Sequence, residues 1–423
     1  VITRRELVRA LNAAHVPEWV VVERVQELGV ADDARSLRRR ERRTRLTMIV
    51  HHDVPQGRGS AQLDITSTDG DAPTLVDQAR ALASEAIGPA WKTAPPAAPA
   101  KVTVMDPDLA KVDLVGAATR LVRGIQRGEA TSVTASATIL REQVAVQSRS
   151  GFRDDWPASA IRVEALVTAA DRSLEVVREA RRISLLGFDP AVAAAVADLK
   201  QLAAARTPVA GRCSLLLTAD AMLHGDGLGV WAVFAAQADS VVERQGLTRY
   251  RLGTPIAPNA GQVDVPLTIS SDGSLEYATR SSPVSDEGDA IRRFPLVEQG
   301  ISVGLGLSTR EAALRQLDPN GGVRNLIVNK GTWNGKPVPG ERTVEVHRLR
   351  ALSIDPYSGD ASLELGLAID HSANGTQAFT GGTVRLDLVT ALARAKRSDT
   401  LPSPRGAYFG PASVLIEDVE LIA

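Results

Sequence analysis

The sequence predicts an α+β protein. An N-terminal α/β-type domain of hairpins and helices is expected over residues 1–207, and a β-rich C-terminal domain with a few helices over 208–423. Three observations predict this. Before residue 207, long period-2 segments alternate with amphipathic helical segments. After it, Gly and Pro punctuate many short alternating runs. The content of 44% hydrophobic and 23% charged residues is ordinary for a globular chain, and 423 residues suffice for two large domains.

The elements follow in order. Leu7, Leu11 and Ala14 fall at helical spacing in 3–14. Residues 19–27 and 44–52, rich in Val, Ile and Thr, predict strands joined by an Arg-rich turn from Arg35 to Arg45. Residues 60–68 alternate as a third strand, and 73–87 form a helix that Pro73 opens and Gly88 closes. The Pro/Ala stretch 93–100 predicts an extended polyproline II linker within the first domain. A helix is expected over 109–127, then two long strands at 131–148 and 159–170 around the turn SRSGFRDDWP, then helices at 171–182 and 190–206. In the second half, 213–218 predicts a strand. Residues 229–243 predict one helix, with Val230, Val233, Phe234, Ala238, Val241 and Val242 near one face. The runs VDVPLTI, RTVEVHRL, ASLELGLAI and ASVLIEDVEL predict a sandwich or barrel-like sheet, interrupted by helices at 309–317 and 386–396.

Composition excludes several classes. Lys+Arg 49 against Asp+Glu 50 gives a formal charge of −1, too neutral for nonspecific nucleic-acid binding. One Cys rules out an intrachain disulfide and a Cys-based zinc cluster. No apolar run approaches the ~20 residues that span a bilayer. With no signal-peptide pattern, a cytoplasmic protein without membrane contact is expected.

The six His are His15, His51, His52, His224, His347 and His371, and no two stand four or five apart as a zincin helix requires. His51 and His52 are adjacent in a strand and point to opposite faces. Residues 227–232 (GLGVWA) match G-x-G-x-x-A, but TADAMLHGD separates them from the preceding strand, where the dinucleotide fingerprint needs direct succession. What remains is a Gly-rich loop of Gly225, Gly227 and Gly229 beside His224 and Asp226. Neither a P-loop nor a G-x-S-x-G elbow occurs. Cys213, in an apolar strand, reads as buried and inert. The Arg run fits an acidic partner or nucleic acid. A solvated hairpin tip that blocks edge pairing explains it more simply, because no aromatics are interleaved. Asp286, Glu287 and Asp289 around Gly288 read as an acidic turn, with a metal or peptide-amine contact as the other possibility.

Seven segments, in order, resemble the TldD/PmbA (TldE) family. They are VAVQSRSGF (144–152), the helix-then-strand from Asp189 to Leu223, SDEGDAIRRFPLVEQGISVG (285–304), VRNLIVNKG (323–331), DPYSGDASLELG (355–366), TGGTVRLDLVTALARA (380–395) and GPASVLIEDVEL (410–421). The resemblance implies two kinds of subunit in a heterodimeric peptidase that cuts unfolded or modified peptides. A TldD-type chain holds zinc through a His-Glu-x-x-x-His helix and a distal Cys, and a TldE-type chain lacks these ligands. Here the matching helix WAVFAAQADSVVE (231–243) has no His, and SDTLPSPRGAYFG (398–410) has no Cys. The resemblance therefore implies a TldE-like, non-catalytic subunit that binds no cofactor. Its TldD-like partner would supply zinc, activated water and a Glu general base. This chain would supply half of a cavity wall and a sheet edge for an extended peptide. The residues expected near substrate or partner are His224, Gly225, Asp226, Gly227, Gly229, Trp231, Asp286 and Glu287. A standalone metal-dependent enzyme, a topoisomerase modulator and a dedicated biosynthetic homologue are the alternatives.

Overall fold

Thr3 and Glu6 form a reciprocal capping box that starts α1 (Arg4–Ala13), which buries Leu7 and Leu11. The chain continues through β1 (Glu18–Asp32), β2 (Leu37–Val54), β3 (Gly57–Ile65), α2 (Ala72–Glu85), β4 (Ile87–Gly88), α3 (Leu114–Gly124), β5 (Ser132–Ser148), β6 (Arg153–Ala169), β7 (Arg172–Ala180) and α4 (Phe188–Ala203). The computed structural model describes residues 2–66, 70–93, 95, 98–125, 132–225, 227–373, 375–401 and 406–423. The seven strands form one antiparallel sheet in the order β4-β3-β2-β1-β5-β6-β7.

Strand alternation gives this sheet two unlike faces. On one face, Val21, Leu46, Met48 and Val50 pack against α1 and α2, and Ala137, Ile139, Ile161 and Val163 pack against α3 and α4. The other face is apolar at one end only. There Val20, Val22, Val144, Val146 and Trp156 meet Val104 and Val284. Farther along, the register places Arg24, Gln26, Glu142, Arg162 and Glu179 on that same face.

The second half runs β8 (Gly211–Thr218), α5 (Ala219–Met222), α6 (Ala232–Gln237), α7 (Ser240–Arg244), β9 (Ile269–Asp272), β10 (Phe294–Glu298), β11 (Ile301–Ser302), α8 (Thr309–Leu314), β12 (Asn325–Val328), β13 (Thr343–Ile354), β14 (Asp360–Ser372), β15 (Gly375–Phe379), β16 (Thr383–Asp387), α9 (Leu388–Arg394), β17 (Lys396–Arg397), β18 (Tyr408–Phe409) and β19 (Ser413–Ile422). Strands β13, β8, β19, β16 and β14 follow one another, and β13 also pairs with β14. The ring therefore closes, which removes the edges an open sheet would leave. A smaller sheet follows the order β11-β10-β9-β12-β18. One core joins Leu215 and Leu217 of the barrel to Trp231, Phe234 and Tyr408.

Several expectations are corrected. Residues 171–182 are not helical: they are strand β7, turned off β6 at Ala170, whose φ is 53°. Leu174, Val176 and Ala180 alternate inward there, and pairing with β6 overrides the helical propensity of Leu, Glu and Arg. The Arg-rich turn is also mostly strand. The chain reverses at 33–36, with Ser36 at φ 50°, and Arg38 to Arg45 pair with β1 along their full length. The expected helix 229–243 is broken. A 3₁₀ turn at Gly229–Trp231 leads into α6, and Asp239 then caps α7 by accepting from the Val241 and Val242 amides at 2.9 and 3.1 Å. An Asp that captures backbone amides this way starts a new helix rather than continuing the old one. The helix expected over 109–127 begins only at Leu114, where Asp113 caps it. VDVPLTI is strand only from Ile269 onward. The polyproline II reading of 93–100 falls partly on residues 94, 96 and 97, outside the described residues.

Candidate functional site

The acidic turn is the predicted site that the fold develops furthest. Ser285 closes it: its amide donates to the Asp289 carbonyl, and its hydroxyl accepts from the Glu287 and Asp289 amides at 3.2 and 3.0 Å. Gly288, at φ 84°, rests against the ring of Phe152. Asp286 points outward and pairs with Arg24 of β1, which lies 3.4 Å from Glu142 of β5. Asp289 is buried and accepts from the Thr309 hydroxyl. The turn thus sits against the N-terminal sheet.

Glu287, Gly288 and Asp289 line a cleft of about 310 Å³ together with Trp19, His51 and Arg149. Burial raises the Glu287 carboxyl to about 7, the Asp289 charge adds to this, and hydrogen bonds from Thr309 oppose it. Burial also lowers His51 to about 4, helped by the Arg58 charge, so its ring is neutral at pH 7. Ser60 Oγ lies 2.8 Å from His51 Nδ1. The cleft therefore pairs a neutral imidazole with a carboxyl that changes charge near neutrality, a combination that can accept or release a proton. A second cleft of about 400 Å³ lies on the same face of the sheet, over Leu28, Leu140, Glu142, Arg162 and Glu179, with Arg181 and Thr279 at its border. Arg181 fixes this border by donating to the carbonyls of Ala278, Thr279 and Ser281 at 2.9 Å each.

Glu287 carries a stability prediction. Its folded pKa lies above its unfolded value, so its contribution is fully present below about pH 4.5 and is lost as pH rises to about 7. Glu287→Gln should melt above the wild type at pH 8, and the gap should close at pH 5. Equal gaps at both values would refute the burial of this carboxyl.

The glycine loop has different neighbours. His224 is half-buried and burial lowers its pKa, with the Glu175 charge opposing. Gly225 and Gly227 have φ of 93° and 87°, and Gly227 lies against Gly406. A Cβ on Gly229, at φ 51°, would fall 1.9 Å from the Met222 carbonyl oxygen, so only glycine fits. Asp226 lies outside the described residues. Trp231 is fully buried and stacks on Phe234 and Tyr408, at centroid distances of 5.9 and 5.8 Å. It touches the core rather than a surface.

Among the described residues, none of the arrangements fits a zinc ion. Helix α6 buries Val233, Phe234 and Gln237, and the Gln237 amide is fully used. It donates to the carbonyls of Pro356 and Tyr357 at 2.7 and 2.8 Å and accepts from the Arg249 amide at 2.9 Å. Burial pushes the Cys213 thiol up to about 11. Among the described residues no three His, Cys, Asp or Glu side chains converge as a metal-binding group.

Sequence reading missed Trp19, His51 and Arg149, more than a hundred residues away, and Thr309, twenty residues on, as neighbours of the acidic turn, because such contacts leave no local pattern. It also missed a buried network. Asp198 of α4 accepts from Arg348 Nε at 2.8 Å and lies 3.0 Å from His347 Nδ1. Glu345 reaches His347 Nε2 at 3.4 Å and His371 Nε2 at 2.8 Å. One signal was available: Asp198 stands among Val192, Ala195, Leu199 and Leu202 on the buried side of an Ala-rich helix.

Comparison with known proteins follows this geometry. Residues 211–422 match the family described as PmbA/TldA metallopeptidase C-terminal domain. No curated protein matches the chain. Among solved structures, a candidate modulator of DNA gyrase from Bacteroides thetaiotaomicron is similar with a TM-score of 0.78 at 14% identity, covering 100% of both chains. TldE from Thermococcus kodakarensis is similar with a TM-score of 0.74 at 16% identity, covering 99% of both. A candidate modulator of a DNA gyrase from Thermotoga maritima is similar with a TM-score of 0.76 at 14% identity, covering 99% of this chain and 100% of that one. At such identities these structures establish the shared fold. No helix among the described residues is long and apolar enough to cross a membrane. The match over half of the sequence, on the fold these structures share, makes this chain a member of the TldD/PmbA (TldE) family.

Proposed function

We propose that this chain is a TldE-like, non-catalytic subunit of a heterodimeric metallopeptidase. A TldD-like partner would hold the zinc and cut unfolded or modified peptides, and this chain would form part of the wall that binds them. One observation carries the reading: in a member of a metallopeptidase family, the segment 231–243 has no His or Cys, and its two buried polar side chains, Gln237 and Ser240, are spent on backbone groups. The cleft at the acidic turn and the second cleft on the same face of the sheet provide largely apolar walls with a few charged groups, which suits an extended peptide. In this reading Asp286 and Glu287 face the peptide. The loop His224, Gly225, Asp226, Gly227 and Gly229 borders the partner, and Trp231 supports that loop from the core.

The test is co-expression with a TldD-like chain from the same organism, purified through a tag on this chain alone. A 1:1 complex that contains zinc and cleaves peptides is expected, with neither zinc nor cleavage from this chain by itself. Stoichiometric zinc or cleavage from this chain alone would overturn the proposal. A second reading, modulation of a topoisomerase, is favoured by the descriptions of two solved relatives as candidate gyrase modulators. Co-purification with gyrase in place of a TldD-like chain would support it.

A further inference from the structure

Strand β2 spans Leu37–Val54, but its two neighbours do not match it in length. On one side β1 pairs with it from Leu37 to His51. On the other, β3 pairs only from Leu46 to Val54. Among the described residues, nothing pairs with the outer edge of Leu37–Arg45. This edge is nine residues long, ~30 Å at ~3.3 Å per residue. An edge of this length offers a row of unpaired amides and carbonyls.

Its side chains are one-signed. Six of the nine residues are Arg (Arg38, Arg39, Arg40, Arg42, Arg43 and Arg45), against a single acid, Glu41. Alternation puts Arg38, Arg40 and Arg42 on one face and Arg39, Arg43 and Arg45 on the other. Some are engaged: Arg38 with Asp33, Arg39 with Glu41, Arg40 with Glu27, and Arg43 with Gln26. Arg42 and Arg45 have no carboxylate partner among the described residues, and both are exposed. A cleft of about 480 Å³ lies inward of this edge on the first face, where Arg40 and Arg42 meet Val25 of β1 and Arg141 of β5.

We propose that the open edge Leu37–Arg45 of β2 docks an extended, acidic segment of another polypeptide, which adds to the sheet as a further strand. Main-chain hydrogen bonds supply the pairing, and acidic side chains alternating to both faces meet Arg on both. Charge selects this occupant. A second copy of the chain would set Arg against Arg on both faces, which is destabilising. A nucleic acid would leave the backbone row unpaired and would find no aromatic side chain among residues 37–45 on which to stack a base. This inference goes beyond the subunit assignment and does not depend on it, because pairing along the edge needs no zinc-bearing partner.

The test measures fluorescence anisotropy of a labelled nine-residue peptide of alternating Glu and Val with the full-length chain. Binding should be strongest at low salt and weaken as salt rises. Arg42→Glu/Arg45→Glu should weaken it by about tenfold or more while leaving the melting temperature unchanged, since both side chains are solvent-facing. The same peptide N-methylated at alternate amides, with its charge intact, should also lose about tenfold, a loss that electrostatic attraction alone would not produce. Equal binding of the N-methylated peptide would overturn strand addition. Tighter binding of a single-stranded oligonucleotide of matched charge would overturn the choice of partner. Absence of peptide binding would leave the Arg residues only a protective role and overturn the proposal.

Discussion

Asp198→Ala should lower the stability of this chain by about 3 kcal/mol or more, because it removes the buried carboxylate that two half-buried cations share. Asp198 is 7% exposed and its carboxylate is shared between His347 and Arg348. The imidazolium is held charged: hydrogen bonds to Asp198 and then Glu345 raise His347 to about 9 against the cost of its burial. Arg348 retains a 3.5 Å contact with Asp220, which already serves Arg178 at 2.8 Å, so it cannot replace what Asp198 supplies. The network joins α4 to β13 and, through Asp220, to α5 and β7. Its loss should therefore loosen the contact between the N-terminal sheet and the barrel as well as lower the melting temperature. Calorimetry measures the second effect, and hydrogen exchange across α4 and β13 measures the first. A melting temperature unchanged in Asp198→Ala would refute the role assigned to the network.

The same network gives a pH signature. The folded pKa of His347 lies above its unfolded value near 6.5. Below 6.5 both states carry the proton and the full contribution is present. Between 6.5 and about 9 the unfolded chain releases the proton while the folded chain keeps it, so stability falls, and above 9 the contribution is gone. The gap in melting temperature between wild type and His347→Gln should narrow from pH 6 to pH 9.5. Glu287 titrates lower, near 7, so the two groups separate in their windows.

Trp231→Ala should be as damaging, at about 3–5 kcal/mol, the usual cost of removing a fully buried aromatic. Its ring is stacked between Phe234 and Tyr408 in the barrel core, and the loop carrying Gly227 and Gly229 rests on the same cluster. The variant tests the part assigned to Trp231. If it acts through the core, Trp231→Phe should restore most of the stability and any partner binding, since an apolar ring still fills the site. If Trp231 met the partner directly, Trp231→Phe would fold normally and still bind weakly. Melting temperature and partner affinity, measured together on both variants, separate these outcomes.

Local pattern and composition made much of this protein legible. The fold class, the α1, α2 and α4 helices, the long hairpin strands and the terminal barrel strands all follow from hydrophobic period and, for α2, from Pro73 at its start and Gly88 after its end. The family was also readable, because its segments recur in order. These features depend on residues near one another in the chain, where periodicity and capping act. Other features were decided only in three dimensions. Residues 172–180 became a strand because β6 offered a partner. The helix over 229–243 broke because Asp239 found amides to cap. Glu287 acquired a neutral-range pKa because Trp19, His51 and Phe152, more than a hundred residues away, bury it. The Arg run became an open edge because β3 starts its pairing only at Leu46. Each of these outcomes rests on long-range pairing, burial or desolvation. Such terms depend on which distant atoms exclude water from a group, and no local window of sequence contains them.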